Sequence, residues 1–297
     1  MSRSLLLISL LLCLLGAAHA ALAQQRLVHS ERSLYREVLV YENGDVRCMC
    51  FTRNCRVGRQ SCIDTRHPDK IVMRYPQMML GALFVNPAPQ SVLIVGLGGG
   101  TLPRALRQIL PNARIDVVEI DPAVVRVAHR YFDFAESDRT HVIESDGRVY
   151  VKRAQRSGQH YDLIMLDAFD HEYIPEHLLT QEFLLEVKSL LTPQGVLAAN
   201  TFSSSRLYEH ESVTYAAAFG KFFNLKRDNR VIITRLGALP DDAQLRATAR
   251  QFAQPFDTFG FDAAEILPLF TQERDWDPRA RVLTDQYSPA NLLNLER

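Results

Sequence analysis

Val92-Leu93-Ile94-Val95-Gly96-Leu97-Gly98-Gly99-Gly100-Thr101 is the stretch that decides the fold of this 297-residue chain. Its apolar half predicts a buried strand, and the residues after it predict a helix. Between them, Gly96, Gly98 and Gly100 form a loop in which the backbone can turn tightly and a ligand can approach without meeting a Cβ atom. This order of strand, glycine loop and helix predicts a ligand-binding crevice at the edge of a sheet.

Short apolar runs and amphipathic stretches alternate along the chain from residue 91 onward. The predicted strands cover residues 91–96, 114–120, 141–144, 162–167 and 195–202. The predicted helices between and around them cover residues 102–110, 123–131, 149–156 and 181–191. Beyond them, the patterns predict a helix at 212–223, a strand at 230–236 and a helix at 241–252. Such repeats predict an α/β fold with a doubly wound, mostly parallel sheet, a Rossmann-like fold of the methyltransferase type.

Acidic residues follow the glycine loop at the ends of the next two predicted strands. Glu119 ends the second strand, where its carboxylate can accept hydrogen bonds from both hydroxyls of a ribose. Asp146 and Gly147 follow the third strand, where a carboxylate can recognise an adenine amino group. Each feature alone also has a purely structural explanation, because acids at strand ends often cap helices. In this order, the three features predict a nucleoside-containing cofactor.

Details of the glycine loop narrow the choice of cofactor. A dinucleotide-binding loop has a glycine three positions after its second glycine, but Thr101 stands there, which disfavours NAD. Common methyltransferases have an acidic residue two positions before the first glycine, and here that residue is Ile94. An apolar residue at this position, followed by a glycine-dense loop, is the pattern of the aminopropyltransferases.

The fourth predicted strand ends in an Asp-x-x-Asp motif formed by Asp167 and Asp170. With this motif the chain resembles the spermidine synthase family, whose members transfer an aminopropyl group from decarboxylated S-adenosylmethionine to a diamine such as putrescine. The resemblance covers most of the chain. Its motifs include the glycine loop, Glu119-Ile120-Asp121-Pro122, Asp146-Gly147, Leu179-Thr180-Gln181-Glu182-Phe183 and Leu191-Thr192-Pro193-Gln194-Gly195-Val196-Leu197.

The resemblance implies a role for each matching residue. Glu119 would hold the ribose and Asp146 the adenine, while Asp167 would be the catalytic base. Asp170 would bind the diamine cation, and Tyr75 would lie near the aminopropyl group. The chemistry supports a base at this place, because an ammonium group must lose a proton before its nitrogen can attack carbon. The reaction requires no metal, and the sequence predicts none.

Four positions depart from the family pattern. Gly99 stands where spermidine synthases usually carry an aspartate that contacts the aminopropyl amine. Pro76 and Gln77 replace a His and a Glu after the family tyrosine, and His171 replaces a Pro. Two alternatives therefore stay open: a methyltransferase that uses intact S-adenosylmethionine, and a non-catalytic protein that binds polyamines or nucleosides. The presence of both Asp167 and Asp170 favours catalysis.

The first 23 residues predict a signal peptide. Arg3 gives a positive start, residues 5–15 form an apolar run, and small residues at Ala18 and Ala20 and again at Ala21 and Ala23 offer cleavage sites. The apolar run is shorter than the roughly 20 residues of a spanning helix. We therefore expect an exported protein, periplasmic or secreted. An uncleaved leader that anchors the chain to a membrane is the alternative, and it is the only form for which we expect membrane association.

Four cysteines lie close together after the leader: Cys48, Cys50, Cys55 and Cys62. An even number of cysteines in an exported chain favours disulfides. The surrounding sequence predicts two β-hairpins, the first with an Asn-Gly turn, in a register that places Cys48 opposite Cys62. This register favours the pairs Cys48–Cys62 and Cys50–Cys55, although other pairings are open. A zinc site is a competing interpretation, but the cysteine spacing is unusual for one.

The overall charge and the motifs define the expected organisation and partners. The chain has 34 Lys and Arg against 34 Asp and Glu, so it lacks the excess of positive charge that drives nucleic-acid binding. We divide it into a signal peptide at 1–23, an N-terminal β-hairpin region with four cysteines at 24–75 and a catalytic domain at 76–297. The expected partner is a small diamine. Members of the resembled family are often dimers or tetramers, and a homodimer is one expected assembly.

Overall fold

A computed structural model describes residues 25–55, 58–168, 174–201 and 206–295, and two β-sheets organise it. Its strands are β1 (Arg26–Arg32), β2 (Glu37–Asn43), β3 (Val46–Cys50), β4 (Arg59–Asp64), β5 (Ser91–Val95), β6 (Arg114–Glu119), β7 (Thr140–Glu144), β8 (Tyr161–Leu166), β9 (Leu191–Thr201), β10 (Phe223–Lys226) and β11 (Arg230–Arg235). Its α-helices are α1 (Arg74–Leu80), α2 (Ala82–Val85), α3 (Thr101–Ile109), α4 (Pro122–Tyr131), α5 (Gly147–Arg156), α6 (Gln181–Ser189), α7 (Leu207–Phe219), α8 (Asp242–Gln251), α9 (Ala253–Thr258), α10 (Ala263–Ile266) and α11 (Ala290–Leu295).

The larger sheet has seven strands in the order β10-β11-β9-β8-β5-β6-β7. Strands β7, β6, β5, β8 and β9 are parallel, and β11 lies antiparallel between β9 and β10. The sequence of β5 is apolar throughout because both faces of the sheet are covered. Val92 and Ile94 pack into the core on one face, and Leu93 and Val95 into the core on the other. This arrangement confirms the predicted doubly wound α/β class.

The strands and helices from β5 to α6, and also β11 and α8, agree with the predictions to within a few residues, but the segment between β9 and β11 differs. The helix predicted at 212–223 instead spans Leu207–Phe219. Gly220 follows the last helical residue and stops the helix, since its φ of 79° is positive and suits glycine. The residues after it form β10, an edge strand that the sequence patterns did not reveal.

A smaller antiparallel sheet in the order β1-β2-β3-β4 precedes the large one. The predicted Asn-Gly turn joins β2 to β3, with Gly44 at a φ of 60°. Cys48 lies directly opposite Cys62 in the β3–β4 pairing. Disulfides join Cys48 to Cys62 and Cys50 to Cys55, the two pairs that the hairpin register favoured. No thiolate therefore remains among these four residues for a zinc ion.

The small sheet packs on helix α4 at the edge of the large sheet. Val38, Val40 and Met49 form an apolar cluster with Val124 and Val127 of the helix. Polar contacts join the same two units, since the Ser33 hydroxyl donates to the Asp121 carboxylate at 2.6 Å and the Arg47 guanidinium donates to the Tyr131 carbonyl at 2.9 Å. These contacts hold the small sheet over the carboxyl end of β6.

Two predictions about the chain's organisation concern residues at its N-terminal side. The predicted signal peptide at 1–23 lies outside the described residues. The predicted boundary between residues 75 and 76 falls inside α1, and it stays a prediction. Within the described ranges, none of the helices has the length and apolar character needed to cross a membrane.

The two disulfides should contribute unequally to stability, because a cross-link that closes a longer loop restricts the unfolded chain more. Cys48 and Cys62 are 14 residues apart, and Cys50 and Cys55 only 5. We expect Cys48→Ala/Cys62→Ala to lower the free energy of unfolding by about 3 kcal/mol and Cys50→Ala/Cys55→Ala by about 2 kcal/mol. Urea unfolding without reductant measures both. Equal stability of wild type and the first variant would contradict a cross-link between Cys48 and Cys62.

Candidate active site

A cavity of about 850 Å³ lies at the carboxyl ends of the central parallel strands, under the small sheet. Ligands of open α/β sheets bind at this edge, where neighbouring strands send their loops in opposite directions. The cavity wall includes seven of the substrate- and cofactor-site residues predicted from the sequence. These are Tyr75, Gly96, Gly98, Glu119, Asp146, Gly147 and Asp167. Asp170, the predicted diamine-binding residue, lies outside the described residues.

The glycine loop brings two strands of the large sheet into close contact. Gly96 has a φ of 104°, and a Cβ atom there would lie 2.1 Å from the carbonyl oxygen of Asp167. Only glycine fits at this position, for reasons of both backbone conformation and space. Gly98 also lines the cavity, whereas a Cβ at Gly100 would meet the ring of Phe134 at 2.6 Å. Gly100 therefore serves the packing of the loop, and its predicted contact with a cofactor stays untested.

Glu119 is buried at the end of β6, and its carboxylate is fixed by the backbone. One oxygen accepts the Leu97 N–H at 2.9 Å, and the other accepts the Asp121 N–H at 3.0 Å. Burial raises the pKa of Glu119, and the two backbone hydrogen bonds act against this rise. Each carboxylate oxygen can accept more than one hydrogen bond. Glu119 therefore presents remaining acceptor capacity to the cavity at the place where a ribose was predicted.

Asp146 has two partners within the protein. Its Oδ1 accepts the Val149 N–H at 2.9 Å and caps helix α5, which is the purely structural role that acids at strand ends often have. Its Oδ2 lies 2.9 Å from Nε2 of His177, a cavity residue that the sequence analysis did not identify. The hydrogen bond with His177 holds the pKa of Asp146 below its ordinary value. Gly147 lets α5 begin close to β5, since a Cβ there would meet Val95 at 2.6 Å.

Asp167 is a partly buried carboxylate on the cavity wall, one residue after the end of β8. Asn200 on β9 donates to its Oδ1 at 3.0 Å, and the Tyr75 hydroxyl, which donates to the Gln60 carbonyl at 3.3 Å, lies close to its carboxylate. Burial raises the pKa of Asp167 to about 7, although Asn200 and Tyr75 lower it, and the charge of Glu119 adds to the rise. An acid with such a pKa can take a proton from a substrate near neutral pH. The geometry thus places a candidate general base beside the predicted nucleoside site.

Asn200 was missed by the sequence analysis, although a signal was present. It is a polar residue near the carboxyl end of β9, after the apolar run Val196–Ala199 that pairs with β8. A polar side chain at the end of a buried parallel strand points to a ligand crevice. For His177 we find no comparable sequence signal, because it lies in a connection whose path depends on tertiary structure.

The fold is of the α/β class, and its cavity brings the residues predicted to bind a nucleoside beside the carboxylate of Asp167. The family model described as the spermine/spermidine synthase domain matches residues 73–235. The chain is 46% identical to a polyamine aminopropyltransferase of Vibrio vulnificus, over 97% of this chain and 98% of that one. The chain belongs to the spermine/spermidine synthase family, which confirms the predicted family.

Solved structures show the same fold. A spermidine synthase in complex with the transition-state analogue AdoDATO superposes with a TM-score of 0.60 at 18% identity, covering 84% of this chain and 85% of that one. Human methyltransferase-like protein 13 in complex with SAH superposes with a TM-score of 0.55 at 26% identity, covering 74% of this chain and all of that one. Among the described residues, no cluster of His, Cys, Asp and Glu side chains could hold a metal ion.

The buried carboxylate of Asp167 should reduce stability as it ionises. The folded state, with a pKa of about 7, holds this proton more tightly than the unfolded chain, with a pKa near 3.8, so stability falls as the pH rises between these values. We expect Asp167→Asn to unfold at a higher temperature than wild type at pH 8, with a gain of at most about 4 kcal/mol, and to lose this advantage toward pH 4. Thermal unfolding across this range measures it.

The exposed residue Asp138 provides the matched control for this experiment. Asp138→Asn should track wild type at every pH, because its carboxylate is solvated in both states. A stability difference between Asp167→Asn and wild type that did not change with pH would show that ionisation of Asp167 does not cause it.

Proposed function

We propose that this chain is an aminopropyltransferase of polyamine synthesis, which transfers the aminopropyl group of decarboxylated S-adenosylmethionine to a diamine such as putrescine. The observation that carries the proposal is the position of Asp167. A buried base contacts the glycine loop on one side and opens to the cavity on the other. The relative of 46% identity, a polyamine aminopropyltransferase, supports the same reaction.

The proposed reaction is a displacement at carbon. Asp167 accepts a proton from the diamine ammonium, and the freed nitrogen attacks the aminopropyl carbon attached to the sulfonium. A C–N bond forms as the C–S bond breaks, and the bonding electrons stay on sulfur, which leaves as a neutral thioether. No strong acid is needed for this leaving group. The contribution of the protein is therefore a base of suitable pKa and the alignment of two substrates.

The cavity residues fit the parts of the co-substrate. Glu119 would accept the ribose hydroxyls with the acceptor capacity left by Leu97 and Asp121. Asp146 would accept from the adenine amino group beside His177. Tyr75 lies against Asp167 and would face the aminopropyl group, and Asp170 would bind the far end of the diamine.

The position of Gly99 favours a second candidate reaction, methyl transfer from intact S-adenosylmethionine. A Cβ at Gly99 would lie 2.7 Å from the Ser61 hydroxyl and 2.8 Å from the Phe132 ring, so an aspartate has no room there unless these neighbours move. The carboxylate that usually binds the aminopropyl amine is therefore absent. The superposition with a human methyltransferase-like protein gives the same alternative a precedent on this fold.

Calorimetric titration of the purified protein with both co-substrates, followed by mass spectrometry of products formed with putrescine, distinguishes the two reactions. We expect tighter binding of decarboxylated S-adenosylmethionine, and spermidine as the product. Asp167→Asn should lower the transfer rate by about 10²- to 10⁴-fold, as expected for loss of a general base, with co-substrate affinity within about twofold of wild type. Preference for the intact co-substrate, or an Asp167→Asn variant of undiminished rate, would overturn the proposed reaction.

The ribose assignment has its own test in Glu119→Ala. Loss of hydrogen bonds to a charged acceptor should weaken binding of decarboxylated S-adenosylmethionine about 10- to 100-fold. Glu144, which lies opposite Glu119 on β7 and does not line the cavity, supplies the control Glu144→Gln, with unchanged affinity. Unchanged calorimetric affinity of Glu119→Ala would refute the assignment.

We extend the proposal to location and assembly. Two disulfides in the small sheet support an exported protein, because disulfides persist in oxidising compartments. A periplasmic or secreted enzyme would act on a small diamine outside the cytosol. Membrane association would require an uncleaved leader, and a homodimer is the proposed assembly.

A further inference from the structure

Two asparagines and Asp167 form a chain of hydrogen bonds at the base of the cavity. Asn200 Nδ2 donates to Asp167 Oδ1 at 3.0 Å, and Asn229 Nδ2 donates to Asn200 Oδ1 at 3.3 Å. The three residues come from three segments: Asp167 follows β8, Asn200 lies on β9, and Asn229 lies in the turn between β10 and β11. All three line the cavity.

The direction of this chain follows from the chemistry of its members. An ionised carboxylate only accepts hydrogen bonds, so Asn200 must turn its NH₂ group toward Asp167. Its carbonyl oxygen then faces the opposite way and needs a donor, which Asn229 supplies. Without that donor, a half-turn of the Asn200 amide would place its carbonyl against Asp167, an arrangement that is favourable only when Asp167 carries a proton.

Hydrogen bonds and buried contacts fix the turn that carries Asn229. The Arg227 N–H donates to the Asn229 carbonyl at 2.9 Å and closes the turn. The next residue, Arg230, is fully buried; its Nε donates to Asn224 at 2.8 Å, and its guanidinium stacks 4.2 Å from the centre of the Tyr208 ring. The position of the Asn229 backbone is therefore determined by buried contacts on β10 and β11.

The other groups that face Asp167 do not depend on this turn. Tyr75 reaches it from α1, Glu119 acts on it through its charge from β6, and Gly96 contacts its carbonyl from the end of β5. A substitution at Asn229 leaves these groups in place. Asp228, beside Asn229 on the turn, also lines the cavity, so an Asn200→Leu background is needed to show that an effect of Asn229 on Asp167 passes through Asn200.

We propose that Asn229 is a positioning residue for the general base: it holds the Asn200 amide in the orientation that donates to Asp167. The catalytic meaning of this role rests on the proposed function, whereas the orientation itself does not. Asn200 favours the ionised form of Asp167 only while Asn229 fixes its amide.

The test is a thermodynamic cycle read out on Asp167 itself. The pKa of Asp167 is measured by ¹³C NMR of protein labelled at the aspartate carboxyl carbons, with Asp167→Asn to identify the resonance. We expect Asn229→Leu to raise the pKa of Asp167 by about one pH unit, which would lower kcat/KM about 10-fold on the acidic side of the profile. In an Asn200→Leu background, the same substitution should have no further effect. Arg227→Gln, on the same turn but outside the cavity, is the control and should leave the titration unchanged.

The outcomes separate this proposal from the proposed function. An unchanged titration in Asn229→Leu, or an equal shift in both backgrounds, overturns the role of Asn229 even if wild type makes spermidine. A shift that vanishes in the Asn200→Leu background supports the role even if wild type transfers no aminopropyl group. Thermal unfolding confirms that each variant is folded, and Asn229→Ala takes the place of Asn229→Leu should the larger side chain prevent folding.

Discussion

The contact between Gly96 and the backbone of Asp167 is the constraint on which the site depends. Parallel neighbours β5 and β8 end at the same edge of the sheet, and the absence of a side chain at Gly96 lets the two chain segments after them touch. The glycine loop and the candidate base Asp167 therefore meet at a separation set by backbone atoms. A side chain at this position would push Asp167 away from the crevice. The proposed base would then lie farther from the glycine loop.

The same geometry brings two carboxylates into the protein interior, and this has an energetic cost. Glu119 and Asp167 both lie at strand ends, and the charge of Glu119 raises the pKa of Asp167 beyond the effect of burial. The protein stabilises the two charges differently. Glu119 accepts from backbone N–H groups, which cannot turn away, whereas Asp167 accepts from the Asn200 side chain and lies beside the Tyr75 hydroxyl. Fixed backbone donors suit a carboxylate that binds a ligand, as proposed for Glu119. Side-chain donors suit a carboxylate that changes its protonation state, as proposed for Asp167.

Most of the fold and part of the site could be predicted from the sequence because they depend on local patterns. The apolar runs and the glycine loop specify β5 to α6, and acids at strand ends point to one edge of the sheet whatever the detailed packing. Strand β10 has only four residues, and it forms because it pairs with β11. No local sequence pattern predicts that pairing. His177 and Asn229 likewise enter the cavity through connections whose paths are set by tertiary contacts, so their neighbours could not be inferred.

The small sheet gives the site features that the large sheet alone would not have. In β4, the Gln60 carbonyl accepts a hydrogen bond from the Tyr75 hydroxyl at 3.3 Å, Ser61 fills the space beside Gly99, and Cys62 forms the disulfide with Cys48. Three consecutive residues thus join the base, the glycine loop and the cross-link. The family's usual aspartate is missing at Gly99, where Ser61 and Phe132 fill the space, so under the proposed function recognition of the co-substrate tail falls to other residues of the cavity wall. The disulfide-linked small sheet therefore forms part of the cavity wall, while the Rossmann-like sheet carries the candidate base and the residues predicted to bind a nucleoside.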